Sequence, residues 1–384
     1  MRLSLYSTDV PAAARYTAAA RALEPGDDSA VLAYHPVARM NPFQDLLYAE
    51  AGRHNVSVVG APKITDLLDL AAVPPLGAKA IAHLHWTSGI ASSAYTRQEA
   101  EDAVDEFHYV LDELAAGGIR LIWTIHNRLP HGCPWPQTEI RLRNGLVDRA
   151  DAIHLMNPQT IELTSDLFRL PEEKTFLAPH PSYLGAYSRV FDRTKTRLEL
   201  GLIPSHFVAG LVGSIQPYKG IEELLRAAPS IRRRTPRFDV VVAGIPGRDP
   251  ESLALVEELN KSEAVVSLPA QLSDRSLARI VTSMDILVLP YRTTLNSGAA
   301  MLGLSFGVPV LGPAVGPFVP LIEAGFALGY PPDEPHGLLQ ALEAAPEFVA
   351  GVDRAAVADY VHGVRAEIAS SEFFRGLWSK VGGT

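Results

Sequence analysis

Two cationic side chains, each set at the mouth of a helical segment, are the residues of this chain best suited to chemistry. Arg292 follows the apolar run Ile286 to Leu289 and Pro290, and Ser297-Gly298 then opens an Ala/Met/Leu-rich stretch. Lys219 follows the apolar run Phe207 to Val212 and a turn from Gly213 to Tyr218, and Gly220 leads into Ile221 to Ala228. Both read as strand, glycine turn, helix. The first N–H groups of a helix have no intrahelical partner, the dipole there favours an anion, and glycine allows a phosphate close approach. Arg292 adds a guanidinium that can grip two phosphate oxygens. An ordinary βαβ unit with a surface arginine would carry the same residues. Two such loops at the carboxyl ends of strands in one doubly wound sheet would instead converge on a diphosphate. Neither G-x-G-x-x-G nor G-x-x-x-x-G-K-[ST] occurs, so the usual dinucleotide and P-loop fingerprints are absent.

Polar residues of the first half gather where apolar runs end. Asp9 follows the opening run, His83, His85 and Trp86 follow another, and His126 follows Ile119 to Ile125. Asp9 suits a general base near an acceptor hydroxyl, and equally an N-cap for a helix beginning near Pro11. Asn41 and Gln44 suit acceptor hydroxyls, although Asn41 before Pro42 is also a plain helix cap. His180, Tyr183 and Tyr187 stand near the crossover to the second half, where aromatic rings stack on sugars or pack a hinge. His83 and His85 alternate, so on a strand they share a face with no clear third ligand, and no metal site is expected. D-x-D is absent from the chain. A Ser-His-Asp hydrolase, which needs a nucleophile elbow, is not expected either.

The segment GSIQPYKGIEELL (213–225) resembles the G-x-(I/L)-x-x-x-K-G-x-x-x-L segment of nucleotide-sugar glycosyltransferases of the GT-B fold. YR-x4-SG-x8-GVPV (291–310) resembles the donor loop of their exopolysaccharide and lipid-linked saccharide branch, which includes beta-mannosyltransferases. NPFQDLLY (41–48), HLHW (83–86), TIHN (124–127) and HPSYLGAY (180–187) extend the likeness over roughly residues 40 to 315. The resemblance implies a hexosyl transfer from a GDP- or UDP-linked sugar to a saccharide or lipid-linked acceptor, without a metal or other cofactor. It assigns donor binding to Gly213, Ser214, Tyr218, Lys219, Tyr291, Arg292, Ser297 and Gly298; the nucleobase is expected at the second domain's sheet edge, where the Pro269 to Leu272 turn is placed for backbone recognition, with Leu272 as the candidate. Acceptor contacts fall to Asn41, Gln44, His85, Trp86, His180 and Tyr183, and His126 meets the donor sugar unless it is bonded to backbone at a sheet edge. Retaining members place two glutamates where Thr294 and Leu302 stand here. An inverted product is therefore expected, with Asp9 as base. A nucleotide-sugar epimerase or hydrolase of the same fold, or a non-catalytic sugar-nucleotide-binding subunit, are the alternatives.

The elements that must position these residues are legible as alternating apolar runs and helical intervals. Strands are expected near 2–6, 30–34, 56–59, 80–85, 119–125, 152–155 and 174–178, then near 207–212, 238–243, 264–268, 286–289, 308–311 and 326–330. Strands separated by helices imply parallel α/β sheets. At 384 residues the chain suits two domains. The expectation is two Rossmann-like, doubly wound units facing across a cleft, an acceptor domain over 1–185 and a donor domain over 186–354. A terminal helix within 355–384 is expected to pack back on the first. A formal net charge of −9 argues against a nucleic-acid binder, and the single Cys133 suits a reducing cytoplasm. The opening run reads as strand rather than secretion signal, and no apolar run reaches ~18 residues, so no membrane span is expected. Arg141, Arg143 and Arg149 on a helix with an apolar face leave room for peripheral contact with anionic lipid, water being the default.

Overall fold

The computed structural model describes residues 10–26, 28–130, 132–292 and 294–382. The chain divides into two compact units, residues 1–181 with 366–384, and residues 182–365. In the first unit the strands are β1 (Ala30–His35), β2 (Val56–Gly60), β3 (Lys79–Leu84), β4 (Arg120–Thr124), β5 (Ala152–Leu155) and β6 (Thr175–Leu177). They form one parallel sheet in the order β2-β1-β3-β4-β5-β6. The strand expected over 2–6 lies outside the described residues, as does Asp9. The runs AVLAYH and AIHL are nearly continuous in burial because helices cover both faces of a parallel sheet.

The second unit carries β7 (Phe207–Val212), β8 (Phe238–Ala243), β9 (Val265–Leu268), β10 (Ile286–Val288), β11 (Val310–Pro313) and β12 (Ala327–Tyr330). Their order is β12-β11-β10-β7-β8-β9, again all parallel. The chain builds outward from β7 to β9, then returns to β10 on the other side of β7. That reversal sets the carboxyl ends of β7 and β10 side by side, the place where such sheets take ligands. In the first sheet the corresponding reversal lies between β1 and β3.

Helix boundaries follow local chemistry. The helix Arg97–Ala116 opens on a capping box, Thr96 Oγ1 accepting from Glu99 N at 3.2 Å while Glu99 reaches back to Thr96 N, and it closes at Gly117-Gly118, the second glycine at φ +71°. The expected single helix over 355–380 is two. Arg354–Gly363 is capped by Asp353, which accepts from Ala355 N and Ala356 N, and it stays with the second unit. Its Tyr360 ring packs 5.3 Å from Phe326, and Arg354 donates to the Gly307 carbonyl. Ala366–Val381 instead completes the first unit's core, setting Phe373, Phe374, Leu377 and Val381 against Leu32, Ile81 and Ile122. The other division falls at 181/182 rather than 185/186, because Ser182 N donates to Val364 O and Tyr183 N to Ser305 Oγ within the second unit. Among the described residues no helix is long and apolar enough to cross a membrane.

Candidate functional site

In the second unit, β7 ends at Gly213 with φ +128°, and its loop turns through Pro217–Lys219 into the helix Ile221–Arg234. The Lys219 ammonium donates to Tyr291 Oη at 2.9 Å and lies 4.3 Å from that ring's centroid and 5.2 Å from Tyr218's. Burial pushes the Lys219 pKa down and the Tyr291 phenol up, so Tyr291 is a neutral acceptor that holds a cation in place. Arg292 N donates to Tyr218 O at 3.2 Å and so ties the β10 loop to the β7 loop. The two cationic residues are therefore neighbours through their loops, one on each side of the sheet reversal.

A single glycine permits that approach. Gly220 has φ +70°, and a Cβ there would stand 1.8 Å from the Pro290 carbonyl oxygen, backbone that cannot swing aside. Gly220→Ala is expected to cost about 2 kcal/mol or more in denaturant unfolding, from left-handed strain plus a separation of the two loops. Nucleotide affinity measured on the same variant should fall with it; an unchanged unfolding midpoint would show that the loops do not need this contact.

Several expected donor contacts have structural duties instead. Tyr291 is buried at 5% exposure and serves Lys219, so the loop offers the ammonium rather than the phenol to a ligand. The Ser297 hydroxyl accepts from Ala300 N at 3.1 Å, as the cap of Gly298–Ser305, and also hydrogen-bonds the Tyr291 phenol. An anion there would meet the backbone N–H groups of the first turn at Gly298. The Arg292 guanidinium is ion-paired with Glu222 in the first turn of the neighbouring helix. Ser214 is half-buried beside Gly213, and Leu272 follows β9, the edge strand, two strands from β7. The G-x-S-x-G spacing at 303–307 is no nucleophile elbow: Ser305 is buried within a helix, donating to Met301 O at 2.7 Å and accepting from Tyr183 N.

In the first unit His83, His85, His126 and His154 form one linked row, with Phe373 of Ala366–Val381 packed against His83 and His154. Tyr48 Oη lies 2.7 Å from both His83 Nδ1 and His85 Nε2. His83 Nε2 is 2.7 Å from Thr124 Oγ1, which is 3.0 Å from His154 Nδ1, and His154 Nε2 donates to Ala178 O at 3.0 Å. At the other end His85 Nδ1 meets His126 Nε2 at 3.0 Å, and His126 stacks on Trp86 with centroids 4.1 Å apart. Burial holds His83, His85 and His126 well below the ordinary imidazole range, and His154 and His180 at about 4.

This arrangement corrects part of the acceptor set. His85 is 1% exposed with both ring nitrogens engaged inside the unit, so it lines no surface. Gln44 is buried too: Oε1 accepts from Ala38 N at 2.9 Å and Nε2 donates to Pro36 O at 2.8 Å, stapling the β1 loop. Asn41 Oδ1 accepts from Phe43 N at 3.0 Å, closing a turn one residue ahead of Pro42, which is the residue at the start of the helix Phe43–Leu47. Tyr183 is buried beside Tyr187, centroids 5.8 Å apart, in the second unit. His180 donates from Nδ1 to Pro181 O at 2.8 Å and packs 5.0 Å from Phe43. Trp86 and His126 are the half-buried pair at this end of the sheet. Tyr48, Thr124 and His154 were not singled out from sequence. The available signal was polar side chains at matched registers, Tyr34 with His83 and Thr124 with His154, on strands otherwise apolar. Among the described residues no group of three or more His, Cys, Asp or Glu could hold a metal ion.

Residues 206–352 match the family described as Glycosyl transferases group 1. The D-inositol 3-phosphate glycosyltransferase of Segniliparus rotundus is 31% identical over 195 residues, 48% of this chain and 43% of that protein. The GDP-mannose:glycolipid 4-beta-D-mannosyltransferase of Xanthomonas campestris pv. campestris is 38% identical over 102 residues, 26% of this chain and 28% of that protein. The chain thus spans less than half the length of these curated relatives. Among solved structures, Anabaena Alr3699/HepE in complex with UDP-glucose superposes with a TM-score of 0.68 at 14% identity, over 91% of this chain and 99% of that one. Sucrose-phosphate synthase from Thermosynechococcus elongatus gives 0.65 at 16% identity, with 91% and 99% covered. At these identities the superpositions establish the fold, which is GT-B.

Proposed function

From a group 1 glycosyl transferase domain at residues 206–352 of a GT-B chain, we propose that the protein moves a hexosyl group from a nucleoside diphosphate sugar to a saccharide or lipid-linked acceptor. The observation that carries this reading is the pairing of the Lys219 and Arg292 loops across the β7/β10 reversal, beside the amino terminus of Gly298–Ser305. The names of the relatives favour such a donor: one is called a GDP-mannose-dependent mannosyltransferase of a glycolipid, and another was solved with UDP-glucose.

In the reaction, an acceptor hydroxyl oxygen bonds to the anomeric carbon as the bond from that carbon to the diphosphate oxygen breaks. The electron pair leaves on the diphosphate, whose growing charge Lys219, Arg292 and the helix N–H groups stabilise. The hydroxyl proton goes to a base, for which Asp9 is our candidate. With Thr294 and Leu302 where retaining members keep glutamates, attack is direct and the anomeric centre inverts.

Labelled UDP-glucose and GDP-mannose, each incubated with and without a saccharide or lipid-linked acceptor, test the reading. Acceptor-dependent transfer is expected; release of sugar or its isomer without acceptor would mark a hydrolase or epimerase, and binding without turnover a non-catalytic chain. On this reading Lys219, Arg292 and the helix terminus do a metal's work on the diphosphate, so activity is expected to survive chelator, and loss in EDTA restored by magnesium would overturn that. The product's anomeric configuration by NMR is expected to be beta from an alpha-linked donor. Asp9→Asn is expected to lose about 10²–10⁴ in rate while binding nucleotide, and a fully active variant would remove Asp9 as the base.

A further inference from the structure

We propose that the hydrogen-bonded chain beneath the first sheet fixes His126 in the tautomer protonated on Nε2, making Nδ1 its accepting nitrogen, with Tyr48, His83, His85, Thr124 and His154 as positioning residues. The chain's polarity starts from a group that cannot donate. Ala178 O accepts from His154 Nε2, so that nitrogen carries the ring's proton. His154 Nδ1 then accepts from Thr124 Oγ1 at 3.0 Å. Thr124 has one hydroxyl proton to give, so it receives from His83 Nε2 at 2.7 Å. His83 Nδ1 accepts from Tyr48 Oη, and Tyr48 receives from His85 Nε2, both at 2.7 Å. His85 Nδ1 accepts from His126 Nε2 at 3.0 Å. One carbonyl oxygen thus sets four imidazoles to one tautomer, because each hydroxyl passes on a single proton.

The derivation needs neutral rings, and the surroundings supply the reason. His83, His85 and His154 are at most 1% exposed, and Phe373 lies flat on His83 at 5.3 Å and edge-on to His154 at 5.1 Å. Phe43 packs 5.1 Å from His126. Burial opposes a charge on all four rings. The titratable neighbours act the same way: the rings on one another, His35 on His85, and His180 and Arg143 on His126, Arg143 being paired with Glu139 at 3.1 Å. For catalysis, which rests on the transferase reading, a neutral His126 so fixed offers a sugar hydroxyl an accepting Nδ1 and no donor there, while the proton released in transfer goes elsewhere.

The test uses the full chain labelled with 15N in the histidine rings, read by two-bond 1H–15N correlation at pH 7.5. All four rings are expected to show a protonated Nε2 and an unprotonated Nδ1. Thr124→Val and Tyr48→Phe each cut the chain between Ala178 O and His126, and in both the His126 nitrogens are expected to shift toward the average of two tautomers. A ring protonated on Nδ1 or on both nitrogens in the unaltered protein overturns the proposal, as does an unchanged His126 in both variants when circular dichroism shows them folded. Should neither variant fold, the pattern of the unaltered protein decides alone. Sugar transfer assayed on the same sample separates the two readings. Transfer with the wrong tautomer sinks the chain, and the predicted tautomers without transfer sink the transferase reading.

Discussion

Lys219→Met is expected to weaken nucleoside diphosphate binding about 10- to 100-fold, the loss of one charge-assisted contact worth about 1.5–3 kcal/mol at a desolvated site. The ammonium is already aimed: Tyr291 Oη accepts from it at 2.9 Å and two aromatic rings flank it, so little ordering remains to be done on binding. Arg292→Ala is expected to act in the same direction but less strongly, because its guanidinium must first leave or share Glu222. That pair is solvent-exposed, with side-chain exposures of 55% and 36%, and exposed pairs are worth only about 0–1 kcal/mol. Glu222→Gln should therefore tighten binding by up to about fivefold, and leave stability almost unchanged. Burial pushes the Lys219 pKa below that of an ordinary lysine, so affinity should fall at a lower pH than free lysine titration would give. Calorimetry with UDP and GDP on each variant reads all of these. Unchanged affinity in both Lys219→Met and Arg292→Ala would remove the diphosphate from these loops.

The second large effect is acid sensitivity of the first unit. Burial lowers the folded-state pKa of His83, His85, His126, His154 and His180. Above the unfolded value of about 6.5 both states are neutral and the full stability is present. Below it the unfolded chain takes protons that the folded rings refuse, so stability falls as pH drops, until the folded pKa is reached. For His154, held at about 4, the interval amounts to about 3 kcal/mol by pH 4. Five such groups titrating together would lower stability by up to about 7 kcal/mol per pH unit once below the unfolded value, against a typical total of about 5–15 kcal/mol. Denaturant unfolding between pH 7.5 and 5 should show an uptake of several protons and collapse of the unit near pH 5. His154→Gln, if folded, should take up about one proton fewer. A slope of less than one proton would mean that these rings are not held neutral.

What was legible in the sequence is short-range. Phe207–Val212 and Ile286–Val288 are apolar on both faces because a parallel sheet buries both, and turn glycines follow them; the strand boundaries emerge within two residues. The Thr96 cap and the Gly117-Gly118 stop delimit Arg97–Ala116 through bonds made within four residues. Lys219 and Arg292 were found the same way, since a cation at a strand end before a helix is a local pattern, and the strand order then set both at one reversal. The histidines show where such reading ends. HLHW and TIHN announce polar side chains at strand ends, yet nothing in either segment tells whether a ring meets solvent or another strand. Tertiary structure decided it, by pairing Tyr34 with His83 and Thr124 with His154 and laying Phe373 from the far end of the chain across them. Gln44 and His85 turned inward for the same reason: a polar group enclosed by the fold must find partners there. Local sequence determined which residues stand at the strand ends, because strands and caps are stabilised by near neighbours. Packing between distant segments decided which of those residues remain for a ligand, because burial is a property of the whole unit.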